Sequence, residues 1–538
     1  MKKSLIWAFA ALAFAACSNP DMNGNDAPVH SGEIETSYIA INLSASDITR
    51  AQDGGFADGE AAERAVHHAD FFFFDGDGNA FNVTGNPATQ PGGGINHLQV
   101  SEITFTPDAN NGDDISDSSA PVLLLQTYKG EYPSQIVAVL NWSPGDKAYS
   151  LEELKLAVDI TQEWDATDYF VMSNAVYAQG TTEVYATPLT IDNIKDNAED
   201  AKGAPVTIYV ERVAAKVSVN ANEKYDLGKT YIPTDGTAAA NVYAQIDRWD
   251  LYRDNAQSKL LKDIDGTWTV DEIGFAWNDS PWYRSYWATS LAAPDDDAVY
   301  GTHNFAVGST AYIGENTTTE NTKVVIKAQL VNAAGNPVEI AHWKSVQYTG
   351  NVALRTAVAN TLKNTYYAQT TNEGVATYTS LKPEDLKCVA GDIEGVKANE
   401  VYFQLSEAGV AKNWYKLVNG VYEPVAADTA NDSNSVGAMN TALKGVPSAV
   451  LYTNGETFYY VDIEHLGVKG KPAHYGIVRN HAYNITINSI KGWGSPVYEG
   501  NTFIDYPDTP EQSTYVSAKI NILSWRLVNQ SVDIQPAN

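Results

Sequence analysis

Many residues in this chain could do chemistry, but few stand at the spacings a reaction needs. DGDGNAFNVTGN, residues 75–86, sets Asp75, Asp77 and Asn79 at the first, third and fifth ligand positions of a calcium loop. The twelfth position is Asn86 where such loops need Glu, and the sixth is Ala80 where they need Gly. Directly after FFFF, the Asp-Gly pairs predict a tight turn. The nine histidines give no zinc signature: His67 and His68 are adjacent, His474 and His481 are too far apart for one helical face, and no HExxH occurs. No GxSxG elbow, Walker loop or nucleophilic cysteine context is found. With 66 carboxylates, some pair will lie close in any fold, so no glycosidase dyad is defined. Trp268, Trp277, Trp282, Tyr283, Tyr286 and Trp287 crowd into residues 267–287. Such rings serve a sugar platform or, more simply, a packed core. Asn316-Thr317-Thr318 fits a glycosylation acceptor but is taken as chance. No catalytic, cofactor or metal residue is singled out. One basic residue is different. Between Lys3 and Arg50 there is no Lys or Arg, so a trypsin-like protease has one bond to cut, Arg50–Ala51.

Residues 1–16 read as an export signal, with Lys2 and Lys3 before an apolar run too short to span a bilayer. Phe14-Ala15-Ala16-Cys17 looks like a bacterial lipobox, which implies lipidation at Cys17 and cleavage just before it. Cys388 is the one other cysteine, so a lipidated Cys17 leaves no intramolecular disulfide and stability must come from buried cores. At 538 residues there is length for two or three of them. The formal charge of −31 repels nucleic acid and anionic membranes.

The elements that must position these residues are mostly strands. FFFF (71–74), PVLLLQTY (121–128), QIVAVLNW (135–142), PVTIYVERVAAKVSV (205–219), KVVIKAQLV (323–331), EVYFQL (400–405), ETFYYVDIEHL (456–466) and HAYNITINSI (481–490) are rich in Val, Ile, Tyr and Phe. The clearest helical stretch is SLEELKLAVDI, where Ser150 and Glu153 can form a capping box. The expected class is mainly β, of sandwich type, with few short helices. A polar, turn-rich boundary is expected near 220–242.

Motifs along the whole chain resemble those of the Mfa-type major fimbrillins of Bacteroidales, in the FimA/Mfa-like superfamily that builds type V pili. SYIAINLSASDITRAQDGG (37–55) looks like the family's first strand and arginine site, and TIYVERVAAKVSV (207–219) like its ERxxAKV strand. QIDRWDLY (245–252), YIGENT (312–317), IVRNHAYNITINSIKGWGSPV (477–497) and SAKINILSWRLVNQSVDI (517–534) resemble later signatures. Phe14 in place of Leu in the lipobox and the extra tail QPAN depart from the pattern. The resemblance implies two transthyretin-like Greek-key β-sandwich domains. It implies a signal peptide over 1–16, a lipidated propeptide over 17–50 and an N-terminal domain over 51–240. The C-terminal domain would span 241–538, with a donor strand within 515–538.

The resemblance further implies export as an outer-membrane lipoprotein and cleavage by an arginine-specific protease between Arg50 and Ala51. Loss of the first strand then opens a groove that another subunit's C-terminal strand fills. The residues suit this. Ile39, Ile41 and Leu43 alternate on one face, as do Leu523, Trp525 and Leu527, then Val532 and Ile534. A strand lacking its neighbour leaves an edge that templates strand addition. The expected function is a structural, non-enzymatic pilus subunit, supporting adhesion and biofilm formation. Its implied partners are copies of itself, accessory anchor and tip subunits, the protease, and host or bacterial surface receptors. A surface glycan-binding lipoprotein is the alternative, carried by the tryptophan cluster.

Overall fold

The structure, a computed structural model, describes residues 34–45, 56–57, 59–60, 62–83, 95–101, 121–128, 130–160, 170–179, 182–233, 238–255, 257–264, 304–317, 321–391, 400–426, 435–465, 468, 471, 474–496, 516–522 and 525–532. Its sheets are built from the strands the sequence marks. The first runs, strand by strand, His97–Ser101, His68–Phe74, Gln135–Leu140, Met172–Asn174, Val206–Arg212, Ile34–Ala45 and Val122–Tyr128. The FFFF run shows why this sheet needs continuous apolar sequence. Alternate side chains of a strand face opposite ways. Phe71 and Phe73 accordingly join a core with Ile136, Ala138 and Ile208, while Phe72 and Phe74 join a second core with Val137, Val139, Leu154 and Val213. Both faces are covered, so alternation with polar residues is lost.

Downstream, two sheets face each other across one large core. The first orders Thr310–Ile313, Ala215–Ala221, His481–Ile490, Val516–Ile522, Trp525–Val532 and Phe56–Ala57. The second orders Lys224–Tyr231, Ala240–Tyr252, Lys323–Val331, Glu456–Asp462 and Ser495–Pro496. Val217, Val219, Tyr483 and Ile485 from one meet Trp249, Ile326, Leu330 and Tyr459 from the other. The protein is thus mainly β.

Within 220–242, Lys224–Tyr231 pairs with Ala240–Tyr252, and Tyr225, Leu227 and Val242 pack in the large core. The chain passes into the large core at Ala214–Ala215, where Ala214 packs in a core of the first sheet and Ala215 in the large one. The helix at 150 stops at Leu156, after the expected Ser150–Glu153 capping box, and Val158–Ile160 is a short strand. A further core lies in the second half of the chain. Residues between 341 and 451 bury Trp343, Leu354, Phe403, Trp414, Met439 and Leu443 around helices Gly350–Leu362 and Val436–Lys444. Cys388 lies inside it, and burial pushes its thiol up to about 12, in keeping with a small apolar residue.

The Asp75 turn is as the sequence predicts. The Asp75 carboxylate accepts from the backbone of Asp77 and Asn79, both at 2.9 Å, Gly78 takes φ 82°, and Phe74 bridges to Ala80. Asp75 therefore spends its oxygens on the turn itself. Among the described residues, no three His, Cys, Asp or Glu are grouped to hold a metal, and no helix is long and apolar enough to cross a membrane.

Candidate functional site

The first strand, Ile34–Ala45, is held on both sides by different partners. Its earlier half is antiparallel to Val122–Tyr128, from Ile34 opposite Tyr128 to Ala40 opposite Val122. Its later half is parallel to Val206–Arg212, from Ile41 opposite Val206 to Ala45 opposite Val210. Ile39 and Ile41 are 0% exposed, and they share a core with Leu123, Leu125, Val206 and Ile208. Leu43 continues the register opposite Ile208. Each isoleucine buried this way contributes roughly 1.5–3 kcal/mol. Without this strand, the backbone edge of 122–128 and part of that of 206–210 would have no partner, and a slot would open over Leu123 and Ile208. Burying unpaired backbone is costly, so such a slot favours any strand that fills it.

The C-terminal segment is paired within its own chain. Val516–Ile522 lies antiparallel to His481–Ile490, with Ile485 opposite Ile520. Trp525–Val532 folds back on it, with Ile522 opposite Leu527, and also runs parallel to the start of His481–Ile490, with Leu527 opposite Ala482. A two-residue strand, Phe56–Ala57, closes the outer side through Phe56 opposite Arg526 and Ala57 opposite Trp525. The first strand and the last strand are therefore seated in different sheets of one chain. Trp525, Leu527 and Val532 lie in the last strand. Cys17, Arg50, Ala51, Leu523, Ile534 and the aromatic stretch 268–287 lie outside the described residues.

A polar junction, unmarked by any catalytic pattern, joins the cores. Glu63, in the 3-10 turn Ala62–Arg64, is buried. Its Oε1 accepts from the Lys216 ammonium and the Tyr312 hydroxyl, each at 2.5 Å, and its Oε2 from the Glu60 N–H at 2.7 Å. Burial pushes the Glu63 carboxyl up, but these donors outweigh it and hold the group below the usual carboxylate range. Burial and the bond to Glu63 push the Tyr312 hydroxyl well up. Arg212 donates through Nε to the Glu63 carbonyl at 2.7 Å and through a terminal nitrogen to Asn480 Oδ1 at 3.1 Å. The Asn480 N–H donates to Ala214 O at 2.7 Å. Beside it, Arg479 and Glu315 form a fully buried ion pair at 2.7 Å. Arg479 also donates to the carbonyls of Leu260 and Lys259, at 3.0 and 2.7 Å. Burial raises the Glu315 carboxyl, but Arg479 overrides it and leaves it below the ordinary range.

ERVAAKV, YIGENT and IVRNHAY thus meet at one place, each supplying charges that another satisfies. The sequence marks these stretches but gives Glu63 no signal beyond an acid next to Arg64. Asn316, the nominal glycosylation acceptor, is buried with its amide donating to Arg253 O at 3.1 Å and Thr322 Oγ1 at 3.0 Å. It is a structural residue.

Residues 450–531 match the family model described as major fimbrial subunit protein type IV, fimbrillin, C-terminal. No curated protein matches the sequence. Among solved structures, the chain is similar to a putative cell adhesion protein from Bacteroides eggerthii, at 12% identity, 95% coverage of this chain and 100% of that one, with a TM-score of 0.36. It is similar to the fimbrilin FimA of Porphyromonas gingivalis, at 14% identity, 92% and 98% coverage and a TM-score of 0.36. It is also similar to the tip fimbrial protein Mfa3 of Porphyromonas gingivalis with a C-terminal truncation, at 13% identity, 91% and 100% coverage and a TM-score of 0.27.

Proposed function

We propose that this chain, an Mfa/FimA-like fimbrillin by its C-terminal region 450–531 and hence a non-enzymatic fimbrial subunit, polymerises by exchanging its first strand for another copy's C-terminal strand. The observation that carries this is the seat of Ile34–Ala45 between two strands, with Ile39 and Ile41 wholly buried. Cleavage between Arg50 and Ala51 severs that strand from the rest of the chain. The vacated slot then offers two backbone edges and an apolar floor. The incoming strand presents Leu523, Trp525, Leu527, Val532 and Ile534, after leaving its place beside His481–Ile490.

In the exchange the donor segment gives up its partners beside His481–Ile490 and takes the buried seat of Ile39 and Ile41 in another copy. Lipidation at Cys17 would hold the precursor at the outer membrane until an arginine-specific protease acts. Copies of the chain form the shaft, with accessory anchor and tip subunits at its ends, and the polymer meets host or bacterial surface receptors in adhesion and biofilm growth. The test is the N-terminal residue of fimbriae sheared from cells. Fimbriae beginning at Ala51 support the reading, and fimbriae that retain residues 34–45 overturn it.

A further inference from the structure

Arg64 is the next arginine after Arg50, and a protease that cuts after one will cut after the other wherever the backbone allows. Proteases bind their substrates as extended strands, so a peptide bond fixed in a folded turn is cut only after local opening. Hydrogen bonds hold the backbone on either side of Arg64. Residues 62–64 form a 3-10 turn closed by the Ala65 N–H on Ala62 O at 3.2 Å. The Glu63 carbonyl is held by Arg212, and the Ala65 carbonyl accepts from Asn141 Nδ2 at 3.0 Å. Asn141 also takes the His67 N–H at 2.7 Å. The Glu63 side chain is locked by Lys216 and Tyr312 across the junction of the cores.

We infer that Glu63, gripped by Lys216, Tyr312 and Arg212, is a positioning residue that denies Arg64–Ala65 to the protease and so fixes the processing boundary at Arg50. The inference rests on the reading of Arg50 as the processing site. Its consequence is specific. A cut after Arg64, in which water adds across the bond to leave a carboxylate and a new amine, would detach Phe56–Ala57 from the chain and remove Glu63 from the junction. A cut after Arg50 leaves both in place.

The experiment treats the purified full-length chain with an arginine-specific protease and follows new N-termini by sequencing and intact mass. Wild type, Glu63→Gln and the milder Tyr312→Phe are compared, each checked for a native circular dichroism spectrum. Wild type should yield an Ala51 terminus and keep Arg64–Ala65 whole. Glu63→Gln should yield an Ala65 terminus roughly tenfold faster or more, as expected when a buried carboxylate loses its partners. Tyr312→Phe should fall between. If Glu63→Gln does not fold, hydrogen exchange of the Ala65 amide in wild type decides, with slow exchange expected and fast exchange contrary. Wild type cut after Arg64 as fast as after Arg50, or folded variants with Arg64–Ala65 intact, would overturn the inference. Protection of Arg64 that Glu63→Gln abolishes, together with no cut after Arg50, would uphold the clamp while sinking the processing site.

Discussion

Ile41 stands in parallel register with Val206, although both neighbouring stretches of the same strand and sheet include antiparallel pairs. The strand therefore changes partners at its centre, between Ala40 and Ile41. It ties two otherwise separate edges together, and its removal frees both at once. A strand held on one side alone would leave the sheet nearly intact when lost. This one leaves a two-sided slot, which is the geometry strand exchange requires.

The first prediction separates precursor from mature protein. Ile41→Ala should destabilise the full-length precursor by about 2–5 kcal/mol, the usual cost of deleting a buried isoleucine side chain. It should not change the heat resistance of assembled fimbriae, because residue 41 is absent from a product beginning at Ala51. Thermal unfolding of the precursor and ladder gels of fimbriae measure the two. An equal loss in both would place the first strand in the mature subunit.

The second concerns Arg479 and Glu315. Removing one member of a buried ion pair leaves an uncompensated charge, at a cost of about 3–5 kcal/mol. Glu315→Gln and Arg479→Met should each lower stability by that order. The pair together should cost clearly less than the sum, because each single change strands the other group. Denaturant titration of the three variants gives the coupling, and additive losses would deny the pairing.

The third is a pH dependence. Glu63 and Glu315 have folded-state carboxyls below their ordinary value of 4.5. As pH falls, the unfolded chain takes up those protons first, so folding loses stability. Their contribution is fully present above that ordinary value and declines as pH falls through the lower folded-state values. Urea midpoints measured from about pH 7 to pH 3 should be flat and then fall. Glu63→Gln should be less stable at neutral pH and show a shallower acid decline. An unchanged acid slope would contradict the assignment.

The fourth follows from the place of the last strand. Deleting residues 523–538 should abolish polymers and lower the melting temperature of the monomer without unfolding it. Val516–Ile522 still pairs with His481–Ile490, and Tyr483 and Ile485 remain in the main core. Circular dichroism with a heat-resistant ladder assay checks both halves. A collapsed spectrum would assign the segment to its own subunit's fold.

Strand positions were legible because buried strands here are continuous Val, Ile and Phe runs. FFFF is the clearest case: its composition shows a sheet covered on both faces before any partner is known. The turn at Asp75 and the cap at Ser150 were legible because each rests on contacts within a few residues. What escaped depends on distant partners. Ala214–Ala215, where the chain changes cores, has no polar or turn signal, since both residues are buried. The strands Tyr366–Asn372 and Val375–Ser380 mix Thr, Tyr and Ala with single Gln, Asn, Val and Ser residues and leave many positions exposed, so they lack the apolar run that marks the buried strands. Their turn is built on Glu373 and Gly374 with φ 49° and 81°. Glu63 was invisible because its meaning comes from Lys216, 153 residues away, and Tyr312, 249 away.

The central claim is that the C-terminal strand moves from its own sheet to the first strand's seat in another copy. A photo-crosslinking residue at position 527 reads this directly. In the precursor it should join the chain's own 481–490 strand, since Leu527 lies opposite Ala482. In fimbriae beginning at Ala51 it should join the 122–128 or 206–212 strand of a second copy, in a band of two-subunit mass. Crosslinks in assembled fimbriae that stay within one chain, at 481–490, would contradict it.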